Sequence, residues 1–151
     1  MTSKKLTPPP SLGRALNYAT GACNALCQHM LAPHDLTLAQ WVILSALWRR
    51  DGLPVGEVAE YTGNNGPAVS RILDRMEDKG LVARQQDAGD RRAVRVWLTE
   101  RSEGLRHLQT FWRQVNERLL EGVSDEDVQR LFGLLGRIER NARTRTADEP
   151  C

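Results

Sequence analysis

Residues 55–99 read VGEVAEYTGNNGPAVSRILDRMEDKGLVARQQDAGDRRAVRVWLT, and this stretch decides the fold. Val55 to Tyr61 and Pro67 to Asp78 carry apolar residues at helical spacing. Between them lie Gly63-Asn64-Asn65-Gly66, residue types that tolerate left-handed backbone and cap helices. After Lys79-Gly80 the period drops to two. Leu81 to Gln85, then Val94, Val96 and Leu98 alternating with Arg95 and Trp97, predict two strands joined by a charged tip over Gln86 to Ala93. Helix, tight turn, helix and ribbon together outline a winged helix-turn-helix.

Upstream, Thr37 is placed to cap a helix carrying Leu38, Trp41, Leu44 and Trp48, which Asp51-Gly52 ends. Before it, Leu12, Leu16, Ala19, Cys23, Leu26, Cys27 and Met30 keep one stripe over a long helix that stops before Pro33. Downstream, Thr99 opens a predicted helix with Leu105, Leu108, Trp112, Val115 and Leu119. A last helix follows Ser124, with Val128, Leu131, Phe132, Leu135, Ile138 and Ala142. Residues 1–10, with Lys4, Lys5 and Pro8-Pro9-Pro10, read as a flexible arm, and residues 146–151 as a flexible tail. The expected fold class is mainly α with a small two-stranded β-wing (α+β), a single fold over residues 11–145. Residues 37–99 form the winged helix-turn-helix lobe. Residues 11–36 and 100–145 form long terminal helices, too long for a lobe of ~70 residues to bury, so a second copy of the chain is expected to cover them.

The composition suits this outline and excludes others. The chain has 151 residues, 40% hydrophobic and 26% charged, as a single globular domain would. No apolar run approaches the ~20 residues of a membrane span and no signal peptide opens the chain, so a cytoplasmic protein with its three cysteines as thiols is expected. The net charge is only +2, so placement of charge, not its total, must point to a partner. Catalysis finds no footing: Gly63 to Gly66 lacks the lysine and hydroxyl of a phosphate loop, and His29, His34 and His107 have no arranged nucleophile. No cofactor is expected. No metal is expected either, because His29 points away from the face shared by Cys23 and Cys27.

In a helix-turn-helix the second helix offers its first turns to the major groove, so small or polar residues belong there with cations beside them. Asn65, Gly66, Pro67, Ala68, Ser70, Arg71 and Arg75 fit that requirement. Val69, Ile72, Leu73 and Met76 would face inward, and Asp74, Glu77 and Asp78 cluster toward the far end. The ribbon adds four arginines between Arg84 and Arg95 against Asp87 and Asp90, and such a tip suits the narrow, electronegative minor groove. There Arg91 and Arg92 are the candidates, with Asp90 expected to steady the Arg92 guanidinium.

With these residues in place the chain resembles the multiple-antibiotic-resistance regulator (MarR) family of winged-helix regulators. The resemblance runs through Gln40-Trp41-Val42-Ile43-Leu44, Val55-Gly56-Glu57-Val58-Ala59, the run from Ala68 to Glu77, Lys79-Gly80-Leu81-Val82, the run from Asp87 to Val94, and Leu98-Thr99. It implies a homodimer reading a palindromic duplex operator, with half-sites ~34–36 Å apart. It also implies that Asn65 to Arg75 cover the recognition helix and that Asp90-Arg91-Arg92 is the wing motif. Thr62 and Asn64 stand where the family places leucine-like residues, Gly56 where a capping serine is common, and Ser102 where glycine is usual. The resemblance implies a repressor released by a small aromatic or lipophilic effector, or by cysteine oxidation. Tyr18, His34, Trp41 and Trp112 are the expected effector cleft. Cys23 and Cys27, one helical turn apart, are the redox candidates, although their stripe is apolar. A winged-helix interaction or RNA-binding module remains the alternative, with Trp97 as the one aromatic near the wing for stacking a base.

Overall fold

Five helices begin where a short polar side chain accepts a main-chain N–H three residues on: Ser11 from Arg14, Thr37 from Gln40, Asn65 from Ala68, Thr99 from Ser102 and Ser124 from Asp127. The computed structural model describes residues 8–148. Lys4, Lys5, Cys151 and the outer parts of the expected arm and tail lie outside the described residues. Helix α1 spans Leu12–Leu31 and α2 Leu38–Leu47; α3, Val55–Thr62, and α4, Gly66–Asp78, form the helix-turn-helix. Gly63, at φ 69°, ends α3 in the left-handed conformation that costs glycine least, and only Asn64 and Asn65 separate it from α4.

The wing is β2, Val82–Gln86, paired antiparallel with β3, Val94–Leu98, in the register Val82 to Leu98 through Gln86 to Val94. A third strand corrects the two-stranded expectation: β1, Leu53–Pro54, pairs with β3 and makes the sheet order β1-β3-β2. Two residues, one of them a proline without an N–H, leave no periodic signal in the sequence. Leu31, Leu36, Ile43, Leu44, Leu47, Val58, Val69, Leu73, Met76, Leu81 and Val96 are closed to solvent and form the core under α4 and the sheet. Ile72, expected inside, is half-buried.

The single helix expected after Thr99 is interrupted. It becomes α5, Glu100–Glu103, a 3-10 segment over Arg106–Thr110, and α6, Phe111–Leu119. Its carbonyls are claimed from elsewhere in the chain. Trp48 Nε1 donates to Ser102 O at 3.1 Å and Trp41 Nε1 to Leu108 O at 2.9 Å, while Leu105 and Leu108 bond back three residues rather than four.

Contacts divide the chain into two units, up to Trp112 and from Arg113. The second contains the end of α6, a turn at Gly122 and α7, Asp125–Asp148. Helix α7 runs three residues into the stretch expected to be a flexible tail, its acidic first turn, Asp125, Glu126 and Asp127, suiting the positive end of the helix dipole. Leu131, Phe132, Leu134 and Leu135 on α7 are exposed. No helix among the described residues is long and apolar enough to cross a membrane.

Candidate nucleic-acid interface

Helix α4 presents a buried side of Val69, Leu73 and Met76 and an exposed side of Pro67, Arg71 and Arg75. Asn65 is engaged by the cap: its Oδ1 accepts the Ala68 N–H at 2.9 Å, leaving its amide group outward. The Gly66 N–H remains at the positive end of the helix, where phosphate is favoured. Ser70 is half-buried, 3.5 Å from the Arg84 guanidinium, so its hydroxyl is turned toward the wing.

Of the four ribbon arginines, two are structural. Arg84 bonds Glu77 through Nε at 2.8 Å and also reaches Asp74. Arg95 pairs with Asp87 and donates to Gly52 O at 2.8 Å. These cations hold the Glu77 and Asp87 carboxyls below the usual carboxylate range. The other two stand at the tip. There Asp87 Oδ1 accepts the Gly89 N–H at 2.8 Å and Gln86 Nε2 donates to Arg91 O at 3.0 Å, which fixes the loop by side-chain-to-backbone bonds. Asp90 acts differently from the expectation: its Oδ1 accepts the main-chain N–H of Arg92 at 2.9 Å and makes no ion pair with the guanidinium. With the two residues so near in sequence, the backbone amide is the nearer donor. Arg71, Arg75, Arg91 and Arg92 are all exposed and have no ion-pair partner among the described residues.

Trp97 does not sit at the tip. Its ring lies over Gly52, so close that a Cβ at that position would come within 2.5 Å of it, and the ring packs on the base of the wing. Of the four effector candidates, His34 and Trp41 pack against the segment from Arg106 to Phe111. Tyr18 is 65% exposed and lies under the Arg14 guanidinium, 5.0 Å from ring centre to cation. His34 meets His107 edge-on at 5.6 Å, and Trp41 meets Phe111 edge-on at 5.1 Å. Trp112 is 45% exposed. Cys27 is buried and Cys23 half-buried; burial, and then the neighbouring Cys23, push the Cys27 thiol up, which suppresses the thiolate that oxidation needs. No group of three or more metal-ligating side chains occurs among the described residues.

Residues 34–93, from just after α1 through the wing tip, match the MarR family. The match covers the winged helix-turn-helix lobe and leaves most of the terminal helices outside it. Its fold is similar to that of the S. aureus MepR–DNA complex at 22% identity, covering 88% of this chain and 99% of that one with a TM-score of 0.82. It is similar to a mutant MarR from E. coli complexed with operator DNA at 25% identity, covering 84% and 92% with a TM-score of 0.78. The transcriptional regulator SlyA matches at 22% identity over 88% and 94%, TM-score 0.78. The residues that sequence reasoning missed at this surface are Arg84, Arg95 and Gly52. Opposite charges seven to ten residues apart across a helix-to-strand turn were the available signal for Arg84.

Proposed function

We propose that the chain is a homodimeric transcriptional repressor that acts in the cytoplasm on a pseudo-palindromic duplex operator. The observation that carries this reading is the set of four exposed, unpaired arginines, Arg71 and Arg75 on α4 and Arg91 and Arg92 on the wing tip. Helix α4 enters the major groove, with Arg71 and Arg75 on phosphates or guanine edges and the turn from Asn65 to Ala68 against the backbone. The wing places Arg92, with Arg91 beside it, in the adjacent minor groove, its main chain set by Asp90. Ser70, beside Arg84, influences base preference through the approach of α4. The exposed apolar side chains of α7 support a second copy as the dimer partner.

A small aromatic or lipophilic effector releases the operator by linkage: a molecule that favours the wrong lobe spacing weakens DNA binding by the same factor that DNA weakens its own. Tyr18, His34, Trp41 and Trp112 remain its proposed contacts. The packing of Trp97 on Gly52 weighs against a single-strand reader, and the raised Cys27 thiol weighs against an oxidation gate.

Fluorescence anisotropy against duplex from upstream of the chain's own gene, with unrelated duplex as competitor across a salt series, tests the reading. Competitor-resistant binding by two chains per site with a steep salt slope is expected. Binding to single-stranded RNA in preference to duplex overturns it.

A further inference from the structure

The exposed side of α4 carries a conflict of charge. Asp74 stands between Arg71 and Arg75 in sequence, and its side chain is 57% exposed; Glu77 follows one turn later. Two carboxylates on the helix that meets a polyanion would oppose the two arginines beside them. Arg84, which projects from β2 and is only 24% exposed, reaches both. Its Nε donates to Glu77 Oε2 at 2.8 Å, its own main-chain N–H donates to Glu77 Oε1 at 3.0 Å, and Nη2 bonds Asp74. Nη1 lies 3.5 Å from Ser70 Oγ. One guanidinium thus engages three residues of α4 across successive turns.

A neighbouring cleft of about 360 Å³, closed by Pro54, Val55 and Gly56 at the start of α3, has Ser70, Arg84 and Arg92 in its lining but neither acid. Arg84 occupies both acids; Arg92 has none. We propose that Arg84 is a positioning residue for DNA binding, which shields Asp74 and Glu77 from the incoming phosphates. Arg84 itself does not touch DNA. The inference rests on the nucleic-acid reading of this surface and adds to it the residue that offsets the carboxylates beside Arg71 and Arg75.

The test uses the full chain and a short duplex of arbitrary sequence, because shielding of phosphates acts without regard to base sequence. Arg84→Met keeps the aliphatic stem and removes the charge; it is expected to bind about tenfold more weakly, with the salt slope reduced by about one. Arg84→Met combined with Asp74→Asn is expected to recover most of that loss, which a purely architectural role would not allow. Asp74→Asn alone keeps every Arg84 bond to Glu77 and, because Arg84 already shields that carboxylate, is expected to bind within about twofold of wild type, so it tests the shielding even if Arg84→Met fails to fold. Wild-type affinity in Arg84→Met, an unrestored double variant, or binding by Asp74→Asn many-fold tighter than wild type overturns the proposal. Failure of the wild type to bind any duplex is a different result, overturning the interface reading and this inference with it.

Discussion

The face formed by α4 and the wing differs from the face of α7 in which groups are left without a partner. On α4 and the wing Val69, Leu73, Met76, Val82 and Val96 are buried while Trp97 is 38% exposed, the carboxylates Asp74, Glu77 and Asp87 are held by Arg84 and Arg95, and Arg71, Arg75, Arg91 and Arg92 remain. On α7 what is added is apolar: Arg130 and Arg143 are paired one turn back with Glu126 and Glu139, Arg137 and Arg140 are exposed without an ion pair among the described residues, and Leu131, Phe132, Leu134 and Leu135 face solvent. Unpaired cations suit a polyanion and bare apolar side chains suit protein. A net charge of +2 conceals both, because many arginines are paired within the chain while these four stand exposed on α4 and the wing tip.

The sharpest way to break this contrast is to place a charge in the apolar face. Phe132→Asp, at a side chain 58% exposed in the single chain, is expected to leave the fold intact, to halve the sedimenting mass, and to weaken operator binding at least a hundredfold. Intact dimers in the ultracentrifuge would place the interface elsewhere. Gly52→Ala tests whether the wing's apolar side is truly engaged inward. With φ at 69° and a methyl forced into the Trp97 ring, it is expected to cost about 2–4 kcal/mol, read as a lower midpoint in urea. Arg92→Ala addresses the cationic face and should weaken binding about tenfold on all duplexes with a smaller salt slope, whereas Ser70→Ala should reorder operator variants. Equal loss by both variants on every sequence would merge the roles assigned to them.

The smallest effect concerns acid stability. Lys79 donates to Asp35 Oδ1 at 2.9 Å and Arg101 approaches Oδ2 at 3.3 Å, so the Asp35 carboxyl is held below its ordinary value, first by the Lys79 bond. A folded value below the unfolded one means that its contribution is present above about pH 4 and vanishes as the pH falls through the lowered value. Asp35→Asn should therefore flatten the acid limb of a stability-against-pH curve while changing the salt slope of DNA binding not at all.

What could be read in advance was what short-range chemistry controls. Caps at Thr37, Thr99 and Ser124, the left-handed Gly63 and the change of period after Gly80 place most elements within a residue or two. The interruption after Glu103 could not be read, because its cause is a pair of indoles 54 and 67 residues away in sequence. At the interface, residue types located the surface, but which arginines remain available depended on partners across the turn from α4 to β2 and across the hairpin. Asp90 illustrates the limit at short range: the right pair of residues was in view, and the bond goes to the backbone of Arg92 rather than to its side chain.

The two indoles that interrupt the stretch after Thr99 give the protein a built-in optical reporter. Trp48 sits in a dry site with its N–H tied to Ser102 O, and Trp41 is tied to Leu108 O against the Phe111 ring. An indole so held emits to the blue of one in water. Regularising residues 100–119 into a continuous helix would take both carbonyls from the indoles and redden the emission. A bending or straightening of that segment on binding DNA or effector is therefore visible in the protein's own fluorescence, with no dye attached.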